Sequence, residues 1–373
     1  MVRNAIVFGL IAIVTLGCIW PKAEPAADPK PPQVAVEPKA VPKEEKKSVA
    51  PKKEPKVAPE PPAVKEPMPF EPAMLAAWKE QQGYPMWFNE DTNGRWGSGR
   101  KGMTALPGFI LQRFKPGTLK SLPQPQVPFA IEVLRVTATN ADIQEIAALK
   151  NLHGLCTNSL SVTDAALKGF AHNKTLRILN LEMTGITDAG LKELTQMENL
   201  QALVLANTKV TDAGLQDLAA SRSLERLCLE STSVSDKGIK AIVGVEKLRF
   251  LHLGKTLITD AALQDIARMH ELDKLVVSET KISDAGIQEL TRLKKLRSIY
   301  LGITPITDAG LKELTKIKQL ETIILNGCKI SDSGLMELTA LHNLKMLSIG
   351  GINAKSETVQ ELIKKNPKLV VIR

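Results

Sequence analysis

The sequence predicts an α/β solenoid preceded by a Pro-rich arm, and three observations carry that prediction. A Thr/Ser-Asp pair recurs every 24 residues, its hydroxyl residue falling at Thr163, Thr187, Thr211, Ser235, Thr259, Ser283, Thr307 and Ser331. Ahead of each pair runs a short apolar segment with leucines spaced by three and two, as in Leu176-Arg177-Ile178-Leu179-Asn180-Leu181. Of the 23 prolines, 15 lie between Pro21 and Pro72, and only Pro305 and Pro367 fall after residue 138. One core therefore cannot run through all 373 residues. A fixed period in the twenties is the mark of stacked supersecondary units.

The chain opens with Arg3 and an uncharged run from Ala5 to Trp20 that contains Ile6, Val7, Phe8, Leu10, Ile11, Ile13, Val14 and Leu16. Sixteen residues broken by Gly9 and Gly17 are short for a spanning helix, which needs about 20, and match the core of a secretory signal. The run ends Thr15-Leu16-Gly17-Cys18, which resembles a bacterial lipobox. That resemblance implies cleavage before Cys18 and its lipidation. Two other readings stay open, an uncleaved signal anchor and a signal removed whole. Lipidation and the signal anchor both hold an exported body at a membrane of the cell envelope.

Residues 21–69 are built from Pro, Lys, Glu, Ala and Val and contain no aromatic residue. Proline fixes φ and removes donors, so neither a helix ladder nor a core forms here, and the expectation is a disordered, solvated arm. In polyproline II it would reach on the order of 150 Å when fully extended.

Residues 70–138 hold Trp78, Tyr84, Trp87, Phe88 and Trp96, followed by a Gly-rich stretch. A helix is expected over Pro72–Gln82, stopped by Gly83, with the aromatic residues packing on the first repeat as an N-terminal cap. The rival is a small glycan-binding or catalytic module whose Trp faces stack on a ligand beside Arg95 and Arg100. Gly97-Ser98-Gly99-Arg100-Lys101-Gly102 has the spacing G-x-G-x-x-G. It neither follows an apolar strand nor opens a helix, so a dinucleotide loop is not expected.

Residues 139–373 form about ten units, each a strand, a turn and a short helix. In Ile186-Thr187-Asp188-Ala189-Gly190-Leu191-Lys192-Glu193-Leu194 the hydroxyl caps the helix, Asp188 complements its dipole, and Leu191 and Leu194 form its apolar stripe. Three residues after the cap stands Gly190, Gly214, Gly238, Gly286, Gly310 or Gly334, with Ala166 and Ala262 the exceptions. Glycine recurring inside helices implies that the backbone of the adjoining unit passes close by. The column Thr184, Thr208, Thr232, Thr256, Thr280, Thr304, Cys328 is read as a ladder of hydroxyls bonding turn backbone. One unit buries too little apolar surface to offset its ordering, so neighbours must complete its core. The end units, around Thr139-Asn140-Ala141-Asp142 and Lys355-Ser356-Glu357, depart from the motif as caps facing water do.

On these motifs the segment resembles a leucine-rich repeat domain of the 24-residue Thr-Asp-Ala-Gly-Leu type found in exported bacterial proteins and similar to the repeats of F-box-associated proteins. The resemblance covers 235 of 373 residues. It implies a curved solenoid with a parallel sheet on its concave side and helices on its convex side, and recognition of a protein or glycan by the concave face. No F-box precedes the repeats, so a ubiquitin-ligase role is not implied.

Stacking in register puts Ile178, Ala202, Arg226, Phe250, Lys274 and Ser298 in one concave column, with Asn180, Val204, Cys228, His252, Val276, Tyr300 and Ile324 in the next. Arg226, Phe250, His252, Lys274 and Tyr300 meet at the middle, and aromatic residues with Arg are enriched at binding hot spots. They are the candidate ligand-binding patch. Cys156 and Cys228 share a column three units apart, roughly 15 Å at about 4.8 Å per strand, too far for a disulfide. Free structural thiols are expected.

The net charge of +9 is spread along the chain and gives no basic stripe, so nucleic acid is not an expected partner. His153, His172, His252, His270 and His342 form no i, i+4 pair and no metal-ligand spacing. The motif aspartates recur once per unit, as structural residues do. No catalytic residue, cofactor or metal is expected. The sequence thus points to a non-enzymatic, membrane-tethered scaffold outside the cytoplasm that docks a protein or cell-wall ligand, with a passive envelope spacer as the alternative.

Overall fold

The structure is a computed structural model, and it describes residues 68–90, 96–99, 105–112, 114–134, 138–170 and 173–373. The expectations for the signal segment, Cys18 and residues 21–67 of the arm lie outside the described residues. No helix among those described is long and apolar enough to cross a membrane.

The first helix, α1 (Pro72–Glu80), starts with a proline whose missing N–H would have had no partner there, and it buries Met74 and Trp78. It ends sooner than the expected Gln82, and its stop is not Gly83. Gln82 itself takes the left-handed conformation, φ 55°. Gly83 opens the next strand, where an added Cβ would stand 3.0 Å from the Trp78 carbonyl oxygen. Strand β1 (Gly83–Glu90) pairs antiparallel with both β2 (Trp96–Gly99) and β3 (Leu106–Leu111). Gly97, Ser98 and Gly99 therefore lie in a hairpin strand opposite Asn89, Phe88 and Trp87, not in a loop.

From β3 onward every neighbouring pair is parallel. The sheet runs through β4 (Phe129–Val133), β5 (Leu152–Thr157), β6 (Ile178–Asn180), β7 (Ala202–Val204), β8 (Arg226–Cys228), β9 (Phe250–His252) and β10 (Lys274–Val276), and continues to a last strand at Val370–Ile372. Its 14 strands follow chain order except at the start, where β1 lies between β3 and β2. The expected register holds, with Arg226, Phe250 and Lys274 directly opposite one another. A helical segment follows each repeat strand up to the C-terminal one, and one continuous apolar interior reaches from Phe70 to Leu369 between the sheet and these helices. Leu176, Leu179 and Leu181 are fully buried in it, as their spacing predicts.

The units are joined by the motif itself. The Asp164 carboxylate accepts the Thr187 N–H through Oδ1 at 2.8 Å and the Thr187 hydroxyl through Oδ2 at 2.7 Å. The same pair of bonds links Asp188 to Thr211, Asp212 to Ser235, Asp236 to Thr259, Asp260 to Ser283, Asp284 to Thr307 and Asp308 to Ser331. Each aspartate thus serves the next unit in addition to its own helix dipole. At the start Asn140 takes its place, accepting the Thr163 N–H at 2.8 Å and donating to its hydroxyl at 2.9 Å. At the far end Asp332 accepts the Lys355 N–H at 2.9 Å, with no cap hydroxyl at position 355 to complete the pair.

This bridge accounts for the glycines in a way the sequence does not suggest. A Cβ on Gly214, Gly238 or Gly286 would come 2.5 Å from Oδ1 of the bridging aspartate one unit back, so what crowds the glycine first is the carboxylate, not the neighbouring backbone. Ala262 keeps the Asp236 bonds at 2.7 Å, so a methyl group can be accommodated there with the bridge intact.

The hydroxyl column behaves as expected. Thr184, Thr208, Thr232, Thr256, Thr280 and Thr304 are buried, and each donates to the carbonyl three residues earlier at 2.5 to 2.7 Å. Beside it the turn takes a left-handed residue in eight successive units: Met183, Asn207, Ser231, Lys255, Glu279 and Ile303 have φ of 55 to 57°, and Gly327 and Gly351 follow in the same column. Ile303 is the strained member, because a β-branched side chain fits this region worst.

Three outcomes follow. Asp212→Ala should cost about 2 kcal/mol in urea unfolding, since it leaves two donors of Ser235 without their acceptor. Asp212→Asn should cost clearly less, as Asn140 fills the same role; equal losses would remove the bridge from the account. Ile303→Asn, which installs the residue found at Asn207, should raise stability by about 1 kcal/mol in the same assay.

The Lys355 N–H, then the Thr358 hydroxyl, hold the Asp332 carboxyl below its ordinary pKa, with the Lys355 and Arg373 charges adding. A lowered folded-state pKa means that this contribution is complete above the ordinary carboxylate value and is lost as pH falls through the lowered one. The protection of amides in the helix Ser356–Lys365, relative to their intrinsic exchange rates, should fall over that acid window in the wild type. An unchanged pH profile in Asp332→Asn would exclude this carboxylate as the cause.

Candidate functional site

All five candidate residues stand on adjacent strands of the concave sheet: Arg226 on β8, Phe250 and His252 on β9, Lys274 on β10 and Tyr300 on β11 (Ser298–Tyr300). Lys274 is placed between two rings, its Nζ 5.1 Å from the Phe250 centroid and 4.7 Å from that of Tyr300. The two faces attract the ammonium through their quadrupoles and hold a long side chain in one place. Phe250 differs from expectation, since it is only 3% exposed. Lys274 covers its face and His252 meets its edge, centroids 6.4 Å apart and planes at 64°. It is therefore a support for the ammonium, and the half-buried Arg226, Lys274 and Tyr300 are what a ligand can reach.

His252 is also buried, at 5% exposure. The Gly254 N–H donates to its Nδ1 at 3.2 Å, which places the proton of the neutral ring on Nε2, 3.7 Å from Glu230 Oε2. The ring is seated over Gly254, where a Cβ would stand 2.8 Å from Cε1. Cys228 lies directly opposite His252 in the sheet. Motif spacing along the chain misses this pairing, because 24 residues separate the two. The repeat period is the signal that finds it.

Repeating units of 24 residues, a continuous run of parallel strands and the leucine interior describe one architecture. Residues 172–194, 196–219 and 319–338 match the leucine-rich repeat family model. The chain carries leucine-rich repeats. Among solved structures it is similar to internalin C2 of Listeria monocytogenes, with 24% identity over 57% of this chain and 84% of that one and a TM-score of 0.44. No curated protein matches it.

Elsewhere the leucine-rich repeat protein offers less. Trp78 stacks on Phe109 with centroids 4.2 Å apart, and its Nε1 donates to the Pro123 carbonyl at 2.9 Å. It is fully buried and Trp87 nearly so, which leaves neither face open to a sugar. On the helix side a groove of about 850 Å³ is lined by Lys240, Lys247, Arg268, His270 and Glu271. Glu271 is held below the ordinary carboxylate range chiefly by its hydrogen bonds from Lys295, 2.6 Å to each oxygen. Cys156, Cys228 and Cys328 are buried and form no disulfide. Burial pushes the Cys156 thiol well up, with Glu132 beside it adding to the shift, so it stays protonated.

Proposed function

We propose that this leucine-rich repeat protein is a non-enzymatic binding scaffold that docks a protein partner on the middle of its concave face. The observation that carries the reading is Lys274, a cation fixed between the Phe250 and Tyr300 rings, two strands away from Arg226 in the same column. Solenoids of this kind present extended concave surfaces to partners. A side chain already ordered loses little further freedom on binding, and Tyr and Arg are the residue types that dominate interface energetics. The partner contacts are assigned to Arg226, Lys274 and Tyr300, with Phe250 and His252 beneath them.

The apolar run ending at Cys18 and the Pro-rich segment behind it favour export, with the body held at a membrane on an extended arm. The partner is then a protein of the cell envelope. The assay is a pull-down from envelope extract with the full chain and with the double variant Lys274→Glu, Tyr300→Ala, whose positions tolerate exchange without opening the leucine interior. The wild type should retain one stoichiometric protein and the variant should lose it, at least 10-fold, with unchanged circular dichroism. Retention by both proteins would move the interface elsewhere, and failure of the wild type to retain anything would favour the passive spacer.

A further inference from the structure

We infer that Cys228, Glu230 and His252 form a site for one divalent transition-metal ion of borderline softness, with zinc the best fit. The sulfur, a ring nitrogen and a carboxylate oxygen all lie within 4.8 Å of one another, and no other trio of His, Cys, Asp and Glu among the described residues comes so close. Ligands on a tetrahedral zinc, with bonds of about 2.0 to 2.3 Å, are about 3.5 Å apart, so small side-chain movements close the trio on an ion. The two neighbouring units hold Val204 with Ala206 and Val276 with Ser278 at these positions, so neither of them extends the ligand set.

The donor chemistry narrows the ion. A thiolate, an imidazole and one carboxylate suit zinc and its neighbours, whereas calcium and magnesium require oxygen ligands. Thiolate and carboxylate together cancel the charge of a divalent ion, which a buried position demands. The protons balance as follows. The Cys228 thiol releases its proton to solvent as the sulfur binds. The neutral His252 ring moves its proton from Nε2, the atom facing Glu230, to Nδ1, and the Gly254 N–H loses its acceptor. That exchange weakens binding by about tenfold relative to a ring already in the right tautomer. Three protein ligands leave a fourth position on the side of the half-buried Glu230, open to water or to a group from a bound partner.

The test is titration of the reduced, metal-free full chain with Co²⁺, followed by displacement with Zn²⁺. One equivalent of Co²⁺ should give thiolate charge-transfer and tetrahedral ligand-field bands, and zinc should abolish them and raise the unfolding midpoint. Cys228→Val, the residue that the preceding unit carries as Val204, keeps the packing and should weaken Co²⁺ binding at least 100-fold; His252→Gln should do the same. Absence of the bands, or their survival in Cys228→Val, would overturn the assignment and in the second case refer them to another thiol.

Discussion

The structure depends on one carboxylate per unit that works for its successor. Helices of four to seven residues, such as Asp164–Leu167 and Asp188–Leu194, are too short to stand alone. Their first N–H groups need acceptors, and the cap hydroxyl supplies only one. The aspartate one unit back takes the cap residue's own N–H and orients its hydroxyl, which frees the oxygen to accept from the second residue of the helix, as Ala189 N–H does from Thr187 at 3.3 Å. Cohesion therefore has a direction. Each unit is prepared to receive the next, the first receiver rests on Asn140, and the chain of bridges closes on a plain backbone N–H at Lys355.

Exact repetition along a parallel sheet carries an electrostatic hazard, because equivalent residues stack about 4.8 Å apart and like charges opposite one another repel. The column just before the strands avoids it by alternation, reading Glu225, Arg249, Asp273, Arg297, Glu321, Lys345. Arg297 lies 3.8 Å from Asp273 and Lys345 2.6 Å from Glu321. That rim is neutralised within the molecule. One column further into the concave face the arrangement changes: Arg226 and Lys274 are separated by Phe250 with no acid between them in the column. The repulsion is relieved there by distance and by the ring faces that Lys274 lies between.

The solenoid and its register could be read from the sequence because a strict period converts one-dimensional spacing into three-dimensional adjacency. Leu179 and Leu203 are neighbours for the same reason that they are 24 residues apart. The opening strands were not legible, since β1 begins Gly83-Tyr84-Pro85-Met86-Trp87-Phe88 and carries both a proline and a glycine, residues that ordinarily argue against a strand. Pairing with β3 on one side and the short β2 on the other overrides that preference. Within the candidate site, proximity was legible and accessibility was not. The columns place Phe250 beside Lys274, but only side-chain directions show that the ammonium lies over the ring. The cause of the glycine column was likewise hidden, because the residue responsible is an aspartate whose local role as a helix starter already accounted for it.

In an array this regular, a departure from the column shows how much each position is constrained. Where the hydroxyl column ends, Cys328 replaces threonine and its thiol donates at 3.1 Å to the Leu301 carbonyl, which belongs to the preceding unit and already accepts from Thr304. The replacement succeeds because a carbonyl has two lone pairs and because Gly327 takes the left-handed turn at φ 72° without a side chain. A backbone requirement can thus be met by either unit of a pair. The concave positions carry no such requirement. Valine, cysteine, histidine and tyrosine follow one another in the column from Val204 to Tyr300 while the leucine interior behind them stays fully buried. The fold constrains what lies behind the sheet and between the helices, and leaves the front of the sheet free to vary.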